Sequence, residues 1–263
     1  HHTSRGARVY WLGGEPVESA IGARARIGLV SAEQQETYRR QERPIIGIDA
    51  IRSGFDDSVY PQWPLTPEQR VVVDAVVERL RIGHLLARSM MAMSSGEARR
   101  VLIARALVAG PRMLLLDEVC NGLDMESRAE VIAAVSEAIR GGVDVVYTTH
   151  RAGEIVPGLT HAMVAQGGRI RVIGRLEQSV PSMLSIASVS STGPNRPTPA
   201  DDAAPLFEVR DCDVYLDRVP VLRDLNFTMR PGENWLLLGA NGSGKSTFLR
   251  LLAGDEYPAH GGL

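Results

Sequence analysis

Over residues 1–178 short apolar runs alternate with longer stretches whose apolar positions recur every three or four residues. RARIGLVS (Arg24–Ser31), RMLLLDE (Arg112–Glu118) and VDVVYTTH (Val143–His150) are runs of the kind buried on both faces of a sheet. The stretches between them read as helices. TPEQRVVVDAVVERLRIGHLL opens with Thr66 as N-cap, Pro67 in the first turn and Gln69 closing a capping box. GEARRVLIARALVAG is a second helix, and ESRAEVIAAVSEAIRGG a third that ends at Gly141 and Gly142. Strands alternating with helices predict an α/β fold with a mainly parallel sheet. Periodicity fails over residues 179–205, rich in Ser, Pro, Ala and Thr, which reads as a linker. From Leu206 strand patterning returns in LFEVRDCDVYL, LRDLNFTMRPGE and NWLLLGA.

Composition narrows the partners. Twenty-nine Lys and Arg are interspersed with 31 acids for a net charge of −2, so no basic footprint points to nucleic acid. The two cysteines, Cys120 and Cys212, have no metal-ligand spacing, and a cytosolic chain with reduced thiols is expected. No apolar run approaches the roughly 18 residues of a membrane span. A role at the plasma membrane would therefore place the protein peripherally, on the inner face, beside a membrane partner.

Candidate chemistry begins after NWLLLGA. Gly239-Ala-Asn241-Gly242-Ser243-Gly244-Lys245-Ser246 satisfies G-x-x-x-x-G-K-[ST] in full, and Thr247 continues into a helix. The glycines let successive N–H groups point at phosphate oxygens, and the helix adds its positive end. Lys245 would reach the β- and γ-phosphates, and the Ser246 hydroxyl would ligate Mg²⁺. Far upstream, RMLLLDE ends an apolar strand in two acids. Asp117 would bind in the Mg²⁺ shell, and Glu118 would polarise an attacking water. Ser94-Ser95-Gly96-Glu97 opens a helix, suited to contact a phosphate through backbone N–H groups. Asn121-Gly-Leu-Asp124 follows Glu118 almost at once, and His150 ends the next strand, a position for a γ-phosphate contact.

Together these stretches resemble the ATP-binding cassette ATPases. The resemblance implies a P-loop NTPase fold with a helical subdomain and a small antiparallel β part. It makes Gly239–Thr247 the Walker A loop, Ser94–Glu97 the signature, Asp117 and Glu118 the end of Walker B, Asn121–Asp124 the D-loop and His150 the switch histidine. Tyr215 stands where the family has its adenine-stacking aromatic. Departures exist. The signature reads Met93-Ser94-Ser95-Gly96-Glu97 where the family has Leu-Ser-Gly-Gly-Gln, and Val119-Cys120 replaces the usual proline stretch after Walker B. Ala32 occupies the usual Q-loop position, with Gln34 or Gln35 left as the candidates.

The motif order departs as well, because Walker A follows the others across the linker. A tandem reading makes residues 1–178 a first cassette without its Walker A part, and residues 206–263 the opening of a second, each half incomplete. A circularly permuted docking, in which strand Trp235–Leu238 completes the upstream sheet, is the other explanation; the tandem origin is preferred. In head-to-tail pairs of cassettes Lys245 would then face the signature at Ser94, and Glu118 would serve another site. The expected ligands are ATP and Mg²⁺, and the expected partners a second cassette and a membrane permease. Short stretches (SAEQQ, the Ser-x-Gly-Glu signature, TTHRAGEIVPGLTH) resemble family members assigned to molybdate transport or photorepair. The alternatives are a tandem protein of translation or repair, and an incomplete nucleotide-binding fragment.

Overall fold

The computed structural model describes residues 7–12, 16, 23–176 and 204–256. Most of the expected linker, up to residue 203, and the segment after residue 256 lie outside the described residues. The apolar runs form β2 (Ile27–Ser31), β3 (Met113–Asp117), β4 (Asp144–Thr149) and β9 (Trp235–Leu238). With β5 (His161–Gln166) and β6 (Arg169–Arg175) they build a six-stranded sheet in the order β2-β3-β4-β9-β5-β6. All neighbours pair in parallel except β5 and β6. Strand β9 comes from the distal segment of the chain, yet it lies between β4 and β5. A smaller antiparallel sheet joins β1 (Ala7–Tyr10), β7 (Phe207–Leu216) and β8 (Val219–Met229).

Alternation along the strands divides the core in two. Leu114 and Leu116 of β3, Val145 and Tyr147 of β4, and Leu236 of β9 face the helical side. There they meet α4 (Ser95–Val108) and α5 (Met125–Arg140). The intervening residues Met113, Leu115, Val146 and Leu237 pack with Phe207 and Phe227 of the smaller sheet and with α6 (Lys245–Ala253). Helices α1 (Ala32–Arg39), α2 (Gly47–Arg52) and α3 (Pro67–Leu80) flank α4 as the helical part of the fold. The capping box of α3 is present with both of its reciprocal bonds, and Gly141 caps α5.

Buried polar groups of side chain and backbone lock β9 in register at the N-terminal ends of its neighbours. Asn234 Oδ1 accepts from Val145 N–H at 2.9 Å, and the Asn234 carbonyl accepts from Thr160 and His161 N–H at 2.8 and 3.0 Å. Asp144 Oδ1 accepts from Gly232 N–H at 2.7 Å. Both Asn234 and Asp144 are buried, so each bond forms where water cannot replace it. Strand β1 ties down the other end of the distal segment: Arg8 and Tyr10 donate to the Leu251 and Leu252 carbonyls at the end of α6, at 2.9 and 3.1 Å.

Candidate functional site

The C-terminal ends of β3, β4 and β9 lie side by side, as parallel pairing requires, and the loops after them converge. After β9 the chain turns through Gly242 and Gly244, whose φ values of 76° and 100° suit glycine alone. A Cβ at Gly244 would lie 2.6 Å from Leu222 Cδ2, so the loop presses against β8. Lys245 opens α6 and is buried. Its three N–H donors find three acceptors: the Gly239 and Ala240 carbonyls at 2.8 and 2.9 Å, and Glu118 Oε1 at 2.9 Å. Asn241, Gly242, Gly244, Lys245, Ser246 and Thr247 line a cavity of about 310 Å³ with Glu118 and Val221. Gly239 and Ser243 instead line an adjoining groove against the β5–β6 hairpin.

Glu118 is the hub. It is non-glycine at φ 46°, a left-handed conformation just past the end of β3. One carboxylate oxygen takes Lys245; the other lies 3.7 Å from His150 Nδ1 and accepts from Asn121 Nδ2 at 3.3 Å. Asp117, one residue earlier, accepts from Thr148 Oγ1 at 2.9 Å. Thr148 was not among the residues singled out in the sequence. A threonine in an apolar strand carries no motif, and only the β3–β4 register puts it opposite Asp117.

The other predicted residues sit further out. Ser94 caps α4: it accepts from Glu97 N–H at 3.2 Å, while Glu97 Oε2 accepts from Ser94 N–H at 2.8 Å. Burial pushes the Glu97 carboxyl up, but the Ser94 N–H and Arg88 outweigh it and hold the group below the usual range. Ser95 accepts from Arg39, and Gly96 abuts α5, where a Cβ would lie 2.6 Å from Ser127 Cβ. None of Ser94–Glu97 lines the cavity at Lys245. Asp124 is the N-cap of α5, with the Ser127 N–H and then its hydroxyl holding the carboxyl below its ordinary value. Tyr215 is half-exposed on β7, paired with Pro220, the neighbour of the cavity residue Val221. Gln34 lines a separate cavity of about 330 Å³ with Arg24, Asp57 and Arg105, and Gln35 is buried. Neither glutamine lines the cavity at Lys245.

The residues fit a magnesium–nucleoside triphosphate. Backbone N–H groups of a glycine loop, a helix N-terminus and a lysine suit phosphate oxygens. A serine hydroxyl and one carboxylate suit Mg²⁺, which keeps several waters and phosphate oxygens as its other ligands. Among the described residues no cluster of three or more His, Cys, Asp or Glu offers a metal cage without a nucleotide.

The fold is that of a P-loop NTPase cassette. A model of the ABC transporter family matches residues 8–121 and 222–263, more than half of the chain, and the chain belongs to that family. It is 32% identical over 250 residues to the ABC transporter ATP-binding protein ModF of Escherichia coli, covering 88% of this chain and 50% of that protein. An uncharacterized ABC transporter ATP-binding protein of Schizosaccharomyces pombe is 33% identical over 191 residues, 70% of this chain and 38% of that protein. The molybdenum import ATP-binding protein ModC of Photorhabdus laumondii is 34% identical over 119 residues, 44% of this chain and 33% of that protein. The chain thus spans half or less of the length of these relatives. A nucleotide-free ATP-binding cassette from an ABC transporter shares the fold, at 20% identity and TM-score 0.54, over 66% of this chain and 71% of that one. A second cassette, in its ADP conformation, gives 21% and 0.53, over 64% and 68%.

Proposed function

We propose that this chain binds MgATP on Gly239–Thr247 and hydrolyses it to ADP and phosphate, as the energy-coupling part of a transport system. The observation that carries this reading is the 2.9 Å contact of Lys245 with Glu118 on the wall of the glycine-loop cavity. Backbone N–H groups of the loop hold the phosphates, and Tyr215 stacks on the adenine. Ser246 and Asp117 hold Mg²⁺, which when bound neutralises charge building on the phosphate oxygens. When Lys245 leaves Glu118 and the two carbonyls for phosphate, Oε1 of Glu118 becomes free to take a proton from the attacking water. His150, already oriented towards Glu118, contacts the γ-phosphate.

A second cassette completes the working unit in this proposal, its glycine loop facing Ser94, Ser95, Gly96 and Glu97 here, with Asp124 at the seam. A permease at the cytoplasmic face of a membrane receives the work. Molybdate is the proposed cargo, supported by the names of the ModF and ModC relatives. No described helix is long and apolar enough to cross a membrane, so the proposed pathway runs through that partner. Residues 1–178 and 206–263 are further proposed to descend from two successive cassettes joined through 179–205. Support comes from relatives about twice this length. In this chain the two parts share one sheet.

ATP titration and turnover of the chain, of Lys245→Ala and of Glu118→Gln test the reading. Lys245→Ala is expected to lose saturable MgATP binding, and Glu118→Gln to bind but not turn over. A mixture of the two variants should stay inactive if each chain builds its site from its own Lys245 and Glu118. Turnover regained on mixing would show that the two residues act between chains. Absence of saturable binding in the unaltered chain would overturn the proposal.

A further inference from the structure

We propose that Thr148 is a positioning residue that sets both carboxylates of the site. The proposal rests on the reading of Asp117 and Glu118 given above. Thr148 is fully buried at the end of β4, directly opposite Asp117 in the parallel register. Its hydroxyl donates to Asp117 Oδ1 at 2.9 Å and accepts from the Glu118 N–H at 3.0 Å. A hydroxyl has one proton to give, and Thr148 gives it to Asp117. That bond fixes the carboxylate that would take Mg²⁺. The lone pair taken by Glu118 N–H anchors the residue whose φ of 46° is a region that non-glycine residues rarely enter. Held there, the Glu118 side chain spans Lys245 and His150.

The register neighbours among the described residues offer no substitute. Leu116 of β3 and Leu237, the register partner of Thr148 on β9, are apolar. Thr149 follows on the opposite face of the strand, where it donates to Glu154 Oε2 at 2.5 Å and accepts from Arg151 N–H at 3.0 Å. The two threonines therefore divide the work. Thr148 orders the acids, and Thr149 orders the turn after His150.

Thr148→Val keeps the shape and removes both bonds, whereas Thr148→Ser keeps the hydroxyl. ATP binding is measured by calorimetry in EDTA and in Mg²⁺, turnover is followed against Mg²⁺ concentration, and folding is checked by thermal melting. Thr148→Val is expected to raise the Mg²⁺ concentration for half-maximal turnover roughly tenfold and to shrink the gain in ATP affinity that Mg²⁺ confers. ATP affinity in EDTA should stay within about twofold, since the glycine loop is untouched. Thr148→Ser should restore the Mg²⁺ dependence. If Thr148→Val does not melt cooperatively, Thr148→Ala is read in the same assays. An unmoved Mg²⁺ dependence in the valine or alanine variant would overturn the proposal. So would a serine variant as impaired as valine, or an equal loss of affinity in EDTA. An unaltered chain without Mg²⁺-dependent ATP binding sinks the proposed function itself; a working chain indifferent to Thr148→Val sinks only this inference.

Discussion

The two ends of strands β4 and β9 are built on opposite rules. At the N-terminal end, Asn234 N–H donates to Thr160 Oγ1, its side chain accepts from Val145 N–H, and Gly232 N–H donates to Asp144 Oδ1. His161 stacks on Trp235 there, with ring centroids 4.7 Å apart. At the C-terminal end, beside the neighbouring β3, the non-glycine Glu118 carries positive φ, and His150 Nδ1 has no hydrogen bond. One end is spent on register and the other keeps groups poised for a ligand. Glu118 can carry strain because bonds at the far end of the adjoining strands hold the sheet in place.

Substitutions at the two ends should therefore part in their readouts. The largest effect is expected from Lys245→Ala, with ATP affinity down at least about 100-fold. Its buried ammonium interacts with a carboxylate and two carbonyls, and phosphate is the ligand those donors suit. At the other end, Asn234→Ala strands the buried Val145 N–H and should cost about 2 kcal/mol, read from denaturant unfolding. ATP affinity should fall with it, because β9 carries the glycine loop; a melt lowered with binding intact would break the link between the two ends. Gly96→Ala sits apart from both. Its Cβ would collide with Ser127, and a loss of about 1–3 kcal/mol is expected with Mg²⁺-free ATP binding unchanged.

The smallest effect concerns pH. Burial lowers the His161 pKa, opposed by Glu233 and assisted by Arg175. The unfolded chain, with histidine near 6.5, then binds a proton more readily than the folded one. Below that pH the unfolded state gains protons first, so stability falls as pH drops from 7 towards 5. Melting temperatures over that range should decline, and His161→Phe, which keeps an aromatic ring on Trp235, should flatten the decline. An unchanged slope in that variant would remove His161 from the account.

Much of the fold was legible because its signals are local. Capping pairs such as Thr66 with Gln69, apolar runs such as Met113–Leu116 and the glycine spacing of 239–246 each act within a few residues. Thr148 was illegible for the opposite reason. Its importance comes from a residue 31 positions away, through a register that no local pattern encodes. The Q-loop candidates show the same limit. Gln34 and Gln35 look alike in sequence, and the first turn of α1 sends one to a cavity wall and buries the other.

By itself the sequence determined the elements, the class of fold and the chemistry of the phosphate loop, all of which follow from residue type and short spacing. Tertiary structure alone decided that Lys245 meets Glu118. The apolar surface of β9 would suit any parallel neighbour, and placing it between β4 and β5 took Asn234 and Asp144 to specify the seam. Parallel pairing is long-range by nature, so its partners are chosen by packing and buried hydrogen bonds and not by the strand's own pattern.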